Sequence, residues 1–218
     1  MLESKSHRLC AVVDVELAGR AGWAPLDLAT AYLNSGARFL QLRAKLLSGA
    51  SFLDLASRMR AVAATAGAIM IVNDRADIAR LSGADGVHVG QDDLTPGAAR
   101  AIVGPEAIVG LSTHTERQIV QGVLEPVTYI AVGPVFGTAT KATGYDAVGL
   151  ERVRYARRHA EPRGIDVVGI GGIVLDRACD VISAGATSVA VISDLIAGGH
   201  PEARVRAYLD RLAATGRV

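Results

Sequence analysis

"AIMIVNDRADIARLSGADGVHVG" (residues 68–90) holds two short apolar runs, 68–73 and 86–90, on either side of a segment whose apolar residues recur at helical spacing over 75–82. Apolar runs without polar alternation suit strands that are covered on both faces. A strand, a helix and a second strand in so short a span predict a parallel crossover unit.

The same unit recurs along the whole chain. Upstream lie "LCAVVD" (9–14) with a helix over 25–36 that stops at Gly36, and "FLQLR" (39–43) with a helix over 51–66. Downstream, the strand ending at 90 is followed by a helix over 95–103, "AIVGLS" (107–112) by 115–125, "YIAVGPV" (129–135) by 148–160, "VVGIGG" (167–172) by 176–184 and "SVAVIS" (188–193) by 201–214. Eight strand–helix units in 218 residues predict the α/β class and a (β/α)8 TIM barrel, as a single domain over 1–218. The competing arrangement is an open, doubly wound sheet, which often carries a GxGxxG turn after its first strand. Here "DVELAGRAG" (14–22) follows the first strand, and after Gly169 and Gly171 the third glycine position holds Val174.

Half of the residues are apolar, and 23 Lys and Arg against 22 Asp and Glu leave a formal charge of +1. Such a chain buries a sizeable core and has no broad basic surface for nucleic acid or an anionic membrane, so any anion binding must be local. Cys10 and Cys179 are far apart and form no CxxC pair, which suits reduced cytosolic thiols. "MLESKSHRLCAVV" (1–13) has too short an apolar run for a signal peptide, and no apolar stretch approaches a membrane span. The expectation is a cytoplasmic protein with small-molecule substrates and without nucleic-acid or membrane partners; its oligomeric state, homo-oligomer included, stays open.

In such a barrel the chemistry collects at the carboxyl ends of the strands. "QLRAK" (41–45) alternates Gln41, Arg43 and Lys45 with Leu42 and Ala44, which sends the three polar side chains to one face. An unpaired amide inside an apolar strand is costly, so Gln41 points to a ligand-binding role for this face rather than an exposed cationic strand end. Asp74, Asp92 and Asp93 follow neighbouring strands. Each alone reads as a cap or turn residue; together they could share one Mg²⁺, which takes one or two protein carboxylates plus waters and phosphate oxygens.

"VGPVFGTATKATGYDAVG" (132–149) interrupts the alternation with Gly137, Thr138, Thr140 and Lys141. Backbone amides, two hydroxyls and one ammonium make a pyrophosphate cradle. The next strand ends in Gly169, Gly171 and Gly172, and the last in Ile192 and Ser193, where barrels frequently bind a phosphate. Ser112 and His114 lack the GxSxG elbow of a hydrolase, His88 reads as a satisfied interior histidine, and no zinc spacing is present.

The ordered set "QLRAK", "VNDRADIA", "ADGVHVGQDD", "GLSTHT", "VGPVFGTATK", "VGIGGI" and "VISD" resembles thiamine-phosphate synthase, also called thiamine-phosphate pyrophosphorylase, over nearly the whole chain. The resemblance implies a transferase that joins hydroxymethylpyrimidine diphosphate to thiazole phosphate, giving thiamine monophosphate and pyrophosphate. It implies that Gln41, Arg43, Lys45 and Asn73 contact the pyrimidine diphosphate, and that Asp74 and Asp93 hold Mg²⁺, with Asp92 where the family often has glutamate. Ser112 then lies near the reacting pyrimidine and Lys141 holds its pyrophosphate, both as catalytic residues. Thr138 and Thr140 meet the thiazole phosphate or the pyrophosphate, and Gly172, Ile192 and Ser193 complete the thiazole-phosphate site. The first strand departs from the family, with Cys10 and Val13 where tyrosine and threonine are common. Two other readings stand beside the synthase: a thiazole tautomerase, which would use a histidine placed like His114, and a non-catalytic barrel that binds thiazole phosphate.

Overall fold

In a computed structural model, which describes residues 7–137 and 146–215, eight parallel strands pair in chain order and close into a barrel. The strands are β1 Leu9–Asp14, β2 Phe39–Arg43, β3 Ile69–Asn73, β4 Gly86–Val89, β5 Ile108–Thr113, β6 Tyr129–Val132, β7 Asp166–Ile170 and β8 Ser188–Val191. Closure comes from β1 pairing with β8, Cys10 opposite Ala190. The outer helices are α1 Val15–Arg20, α2 Pro25–Asn34, α3 Gly49–Thr65, α4 Ala76–Ser82, α5 Pro96–Val103, α6 Glu116–Gly122, α7 Gly149–Ala160, α8 Leu175–Ser183, α9 Ser193–Ile196 and α10 Pro201–Ala214.

Two of these helices were not visible in the periodicity. α1 spans under two turns and starts directly on β1, with Asp14 accepting the Leu17 N–H at 2.9 Å. α9 is a single turn within the apolar run that also contains β8. The same apolar continuity makes β6, β7 and β8 end earlier than their sequence runs suggest: glycine- and proline-containing loops prolong the first two beyond the ladder, and Ile192 and Ser193 carry the third into α9. Elsewhere local chemistry marks the boundaries. Ser48 and Thr95 cap α3 and α5, and Thr115 with Gln118 forms a reciprocal capping box on α6.

Alternate residues of each strand face opposite sides of the barrel wall. Leu40, Leu42, Met70, Val72, Val87 and Val89 face outward into a large apolar layer under the helices. Cys10, Val12, Phe39, Ile71, Tyr129, Ala131, Val168 and Ala190 fill the interior. Phe39 meets Tyr129 edge to face, with ring centroids 6.3 Å apart. The two departures in β1 therefore fall on different sides: Cys10 belongs to the interior beneath the mouth, whereas Val13 packs outward. Among the described residues no helix is long and apolar enough to cross a membrane.

Phe39 is fully buried, and its interior neighbours belong to separate strands that cannot collapse independently. Phe39→Ala should therefore cost about 3–5 kcal/mol of unfolding free energy, read from equilibrium denaturant titration. A loss below about 1 kcal/mol would mean that the interior repacks freely.

Candidate active site

The carboxyl ends of the strands open into a cavity of about 650 Å³. Asp74 stands at its rim, just beyond β3, with φ 67°, the one non-glycine left-handed residue among those described. Aspartate tolerates that backbone better than most residues. The turn is held by the Asp74 N–H, which donates to the His88 carbonyl at 2.7 Å. Asp74 does not cap α4, whose N-cap is Arg75, and Thr95 rather than the 92–93 pair caps α5. The capping explanation for these aspartates therefore falls away.

Lys45 Nζ lies 2.5 Å from Asp74 Oδ2, and the Asp74 and Asp93 carboxyl groups share a hydrogen bond. Asp93 Oδ2 also accepts the Gly90 N–H at 2.8 Å. Burial alone would raise the Asp74 carboxyl, but hydrogen bonds from Lys45 and Asp93, with the Lys45 charge, hold it below the usual carboxylate range. Burial pushes Asp93 up; the Gly90 N–H opposes this, and the neighbouring Asp74 charge adds to it. His88 also helps to lower Asp74, so of the two carboxyl groups Asp93 is the one that favours its proton. Asp92 lines the same cavity.

Arg43, half-buried on the cavity wall, pairs with Asp14 at 2.5 Å. The sequence reading did not single out Asp14, although its position at the end of β1, in register with Arg43, carried the signal. Gln41 lies deeper than the lining, buried, with Nε2 3.5 Å from Asn73 Oδ1. It supports Asn73 from below, while Asn73 itself lines the cavity.

Ser112 and His114 lie at the end of β5. Ser112 Oγ is 2.8 Å from His88 Nε2, and the Tyr129 hydroxyl is 2.9 Å from His88 Nδ1. His88 is a satisfied interior histidine, as its sequence context suggests, but it also holds Ser112 and lines the cavity. Tyr129 looked like an ordinary strand residue; its inward phase at the start of β6 was the available clue. His114 Nδ1 is bonded to the Gly133 carbonyl at 2.6 Å.

On the opposite side of the mouth the loops after β6 and β7 run backbone against backbone. Val135 N–H donates to Ile170 O at 2.8 Å and Phe136 N–H to Gly171 O at 3.0 Å. Gly172 has φ 62°, and a Cβ there would come within 2.4 Å of the Gly137 carbonyl oxygen, so glycine is demanded by the loop contact itself. Ile192 and Ser193 lead into α9 beside Gly172 on the cavity wall. Asp194 accepts from the Leu175 N–H at 3.1 Å, from Arg204 at 2.9 Å and from the Tyr208 hydroxyl at 2.5 Å, tying the starts of α8 and α9 to α10. Thr138, Thr140 and Lys141 lie outside the described residues.

A family model described as thiamine monophosphate synthase matches residues 9–195. The chain belongs to the thiamine monophosphate synthase family. It is 40% identical to a thiamine-phosphate synthase of Methanoculleus marisnigri, over 93% of this chain and 94% of that one. It is 41% identical to a thiamine biosynthesis bifunctional protein of Symbiobacterium thermophilum, over 91% of this chain but only 41% of that longer protein. Its fold matches that of a thiamine phosphate pyrophosphorylase from Pyrococcus furiosus with a TM-score of 0.88, at 25% identity and with 99% of each chain covered. This family membership fits the barrel, whose eight strands all lie within the matched span.

The carboxyl pair makes a stability prediction. Asp93 is raised in the folded protein, so at neutral pH its charge destabilises the fold, and that cost vanishes once it is protonated in both folded and unfolded chains. Asp93→Asn should therefore raise the melting temperature of EDTA-treated protein at pH 7. The gain should shrink as pH falls through the raised Asp93 value and be gone by about pH 3, below the ordinary aspartate range. A gain that does not change with pH would contradict this origin.

Proposed function

We infer that this chain carries out its family's function, thiamine-phosphate synthesis, at the mouth of the barrel. The chain is a transferase of thiamine biosynthesis: it joins a hydroxymethylpyrimidine diphosphate to a thiazole phosphate and releases pyrophosphate. The observation that carries the reading is the make-up of the mouth, charged side chains on one side and glycine-rich turns on the other, which we read as two anion sites. Arg43 and Lys45 stand beside the Asp74–Asp93 pair at β2 to β4, and the glycine-rich turns at Gly172 and Ser193 stand at β7 and β8.

The acidic side fits a hard divalent cation. Its donors are carboxylate oxygens from two adjacent strand ends, close enough to share a proton, and Mg²⁺ needs only one or two such protein ligands. Among the described residues no group of three or more acidic, histidine or cysteine side chains is placed to hold a metal ion, so ligation by the protein would come from the two carboxylates. Asp74 and Asp93 would hold Mg²⁺, which when bound supplies charge neutralisation to the departing diphosphate.

The protein's own groups do the rest by placement. Arg43, oriented by Asp14, offers its planar fork to diphosphate oxygens. Lys45 adds an ammonium beside it, and we assign Lys141 the same task from the loop after β6. The bond between the pyrimidine methylene and the diphosphate breaks with its electron pair leaving on the diphosphate. The electron-rich aminopyrimidine carries the resulting cation, and the thiazole nitrogen lone pair closes the new C–N bond. Ser112 positions the pyrimidine through a hydrogen bond, and Asn73, braced by Gln41, lies next to it on the wall. We assign the thiazole phosphate to the backbone at Gly172, Ile192 and Ser193, with Thr138 and Thr140 beside it. No protein nucleophile is required, because orientation of two bound reactants supplies the acceleration.

We take residues 1–218 as one working domain, supported by the ring of strands and by α10 packing on α2 and α8. The cytoplasm as its compartment rests on sparse cysteine content. The tautomerase and the non-catalytic barrel are disfavoured by the family match to thiamine monophosphate synthase and by the presence of the acidic pair.

Purified protein given both substrates and Mg²⁺ should form thiamine monophosphate and pyrophosphate in equal amounts, by chromatography, and EDTA should stop both. Asp93→Ala should cut Mg²⁺-dependent turnover at least about 100-fold, a loss of roughly 2.7 kcal/mol in transition-state stabilisation, with its circular dichroism unchanged. Full turnover of that variant in EDTA would remove Asp93 from the metal site.

A further inference from the structure

Three strands bring one row of residues into register: His88 on β4, Gly110 on β5 and Tyr129 on β6. The middle position has no side chain, and that absence is required. A Cβ at 110 would lie 2.1 Å from Tyr129 Cζ and 2.4 Å from its hydroxyl oxygen. The Tyr129 ring therefore crosses over β5 and stacks against His88, with centroids 5.6 Å apart and planes 20° from parallel. Ser112, two residues beyond Gly110 on the same face, meets the far side of the imidazole.

The direction of these hydrogen bonds follows from burial. Tyr129 is 2% exposed, and burial pushes its phenol well above its ordinary range, so it keeps its proton. A buried O–H needs an acceptor, and the fold presents His88 Nδ1 to it at 2.9 Å. In a neutral imidazole, an Nδ1 that accepts from Tyr129 leaves the ring proton on Nε2, the nitrogen 2.8 Å from Ser112 Oγ. The imidazole then takes one lone pair of the Ser112 oxygen, and on the cavity wall the serine has its own O–H to direct toward a ligand.

We propose that Tyr129 and His88 are positioning residues that fix Ser112 as a hydrogen-bond donor toward a ring nitrogen of the bound pyrimidine, rather than an acceptor from its amino group. This rests on the reading of the mouth as the pyrimidine diphosphate site. Ring nitrogens carry their lone pairs in the plane of the ring. A donor held in one direction therefore sets that plane and aims the methylene at the thiazole side, while leaving the π electrons that support the cation untouched.

The test combines a spectroscopic and a kinetic reading on the full chain. Long-range ¹H–¹⁵N correlation spectra of ¹⁵N-histidine-labelled protein, with His88 assigned by its loss in His88→Gln, should show His88 protonated at Nε2 and bare at Nδ1. Tyr129→Phe should convert this to a tautomer mixture. It should lower kcat about tenfold, change the KM for pyrimidine diphosphate less than twofold, and cause no further loss when added to Ser112→Ala. His88→Gln, whose amide can still donate to Ser112, should retain several-fold more kcat than His88→Leu. Protonation at Nδ1 in the unsubstituted protein, multiplicative losses in the double variant, or equal kcat for the Gln and Leu variants would each overturn the proposal. If the unsubstituted protein makes no thiamine monophosphate, the synthase reading fails, while the tautomer comparison still decides the relay.

Discussion

Closing eight parallel strands into a ring removes every sheet edge and sends alternate side chains into an interior with little access to water. Every other feature of the molecule answers to that enclosure. Deep in the barrel it is met by apolar groups, Phe39 and Ile71 among them. Nearer the mouth, polar groups must satisfy one another. Gln41 turns to Asn73, Arg43 to Asp14, and His88 to both Tyr129 and Ser112. An unpartnered amide, guanidinium or imidazole there would cost a substantial part of a domain's marginal stability.

The charged groups at the mouth come already matched. Arg43 and Lys45 each touch a carboxylate, so neither stands at the mouth as a bare cation. The unbalanced member of this arrangement is Asp93, raised by burial and by Asp74. It marks where another positive charge would be accommodated.

The fold was legible because its signal is repetitive: β1, β2 and α10 fall on their sequence runs, and most other elements shift by a residue or two. What escaped notice was α1 and α9, each too short to show a period, and the true ends of β6 and β8, hidden by apolar loops. The polar residues at the strand ends could be picked out singly, since a charge after a valine run is conspicuous. Their partners could not. That Asp14 would hold Arg43, or that Tyr129 would lean over β5 to reach His88, depends on register between strands far apart in the chain. Gln41 shows the converse: its alternation with Arg43 was right, but depth along the strand put it beneath the cavity rather than on its wall. Thr138, Thr140 and Lys141 fall outside the described residues, so the loop after β6 stands on sequence chemistry alone.

Gly110 gives the molecule an unusual hereditary constraint. The space where its side chain would be is occupied by another residue's ring, so positions 88, 110 and 129 form one unit spread over three strands. Substituting the glycine evicts the tyrosine ring, and losing the tyrosine removes the hydroxyl that meets His88 Nδ1. A change at any one of these positions therefore alters the surroundings of the other two. The glycine is thus as much a part of the serine's setting as the two rings it separates, although it touches no ligand itself.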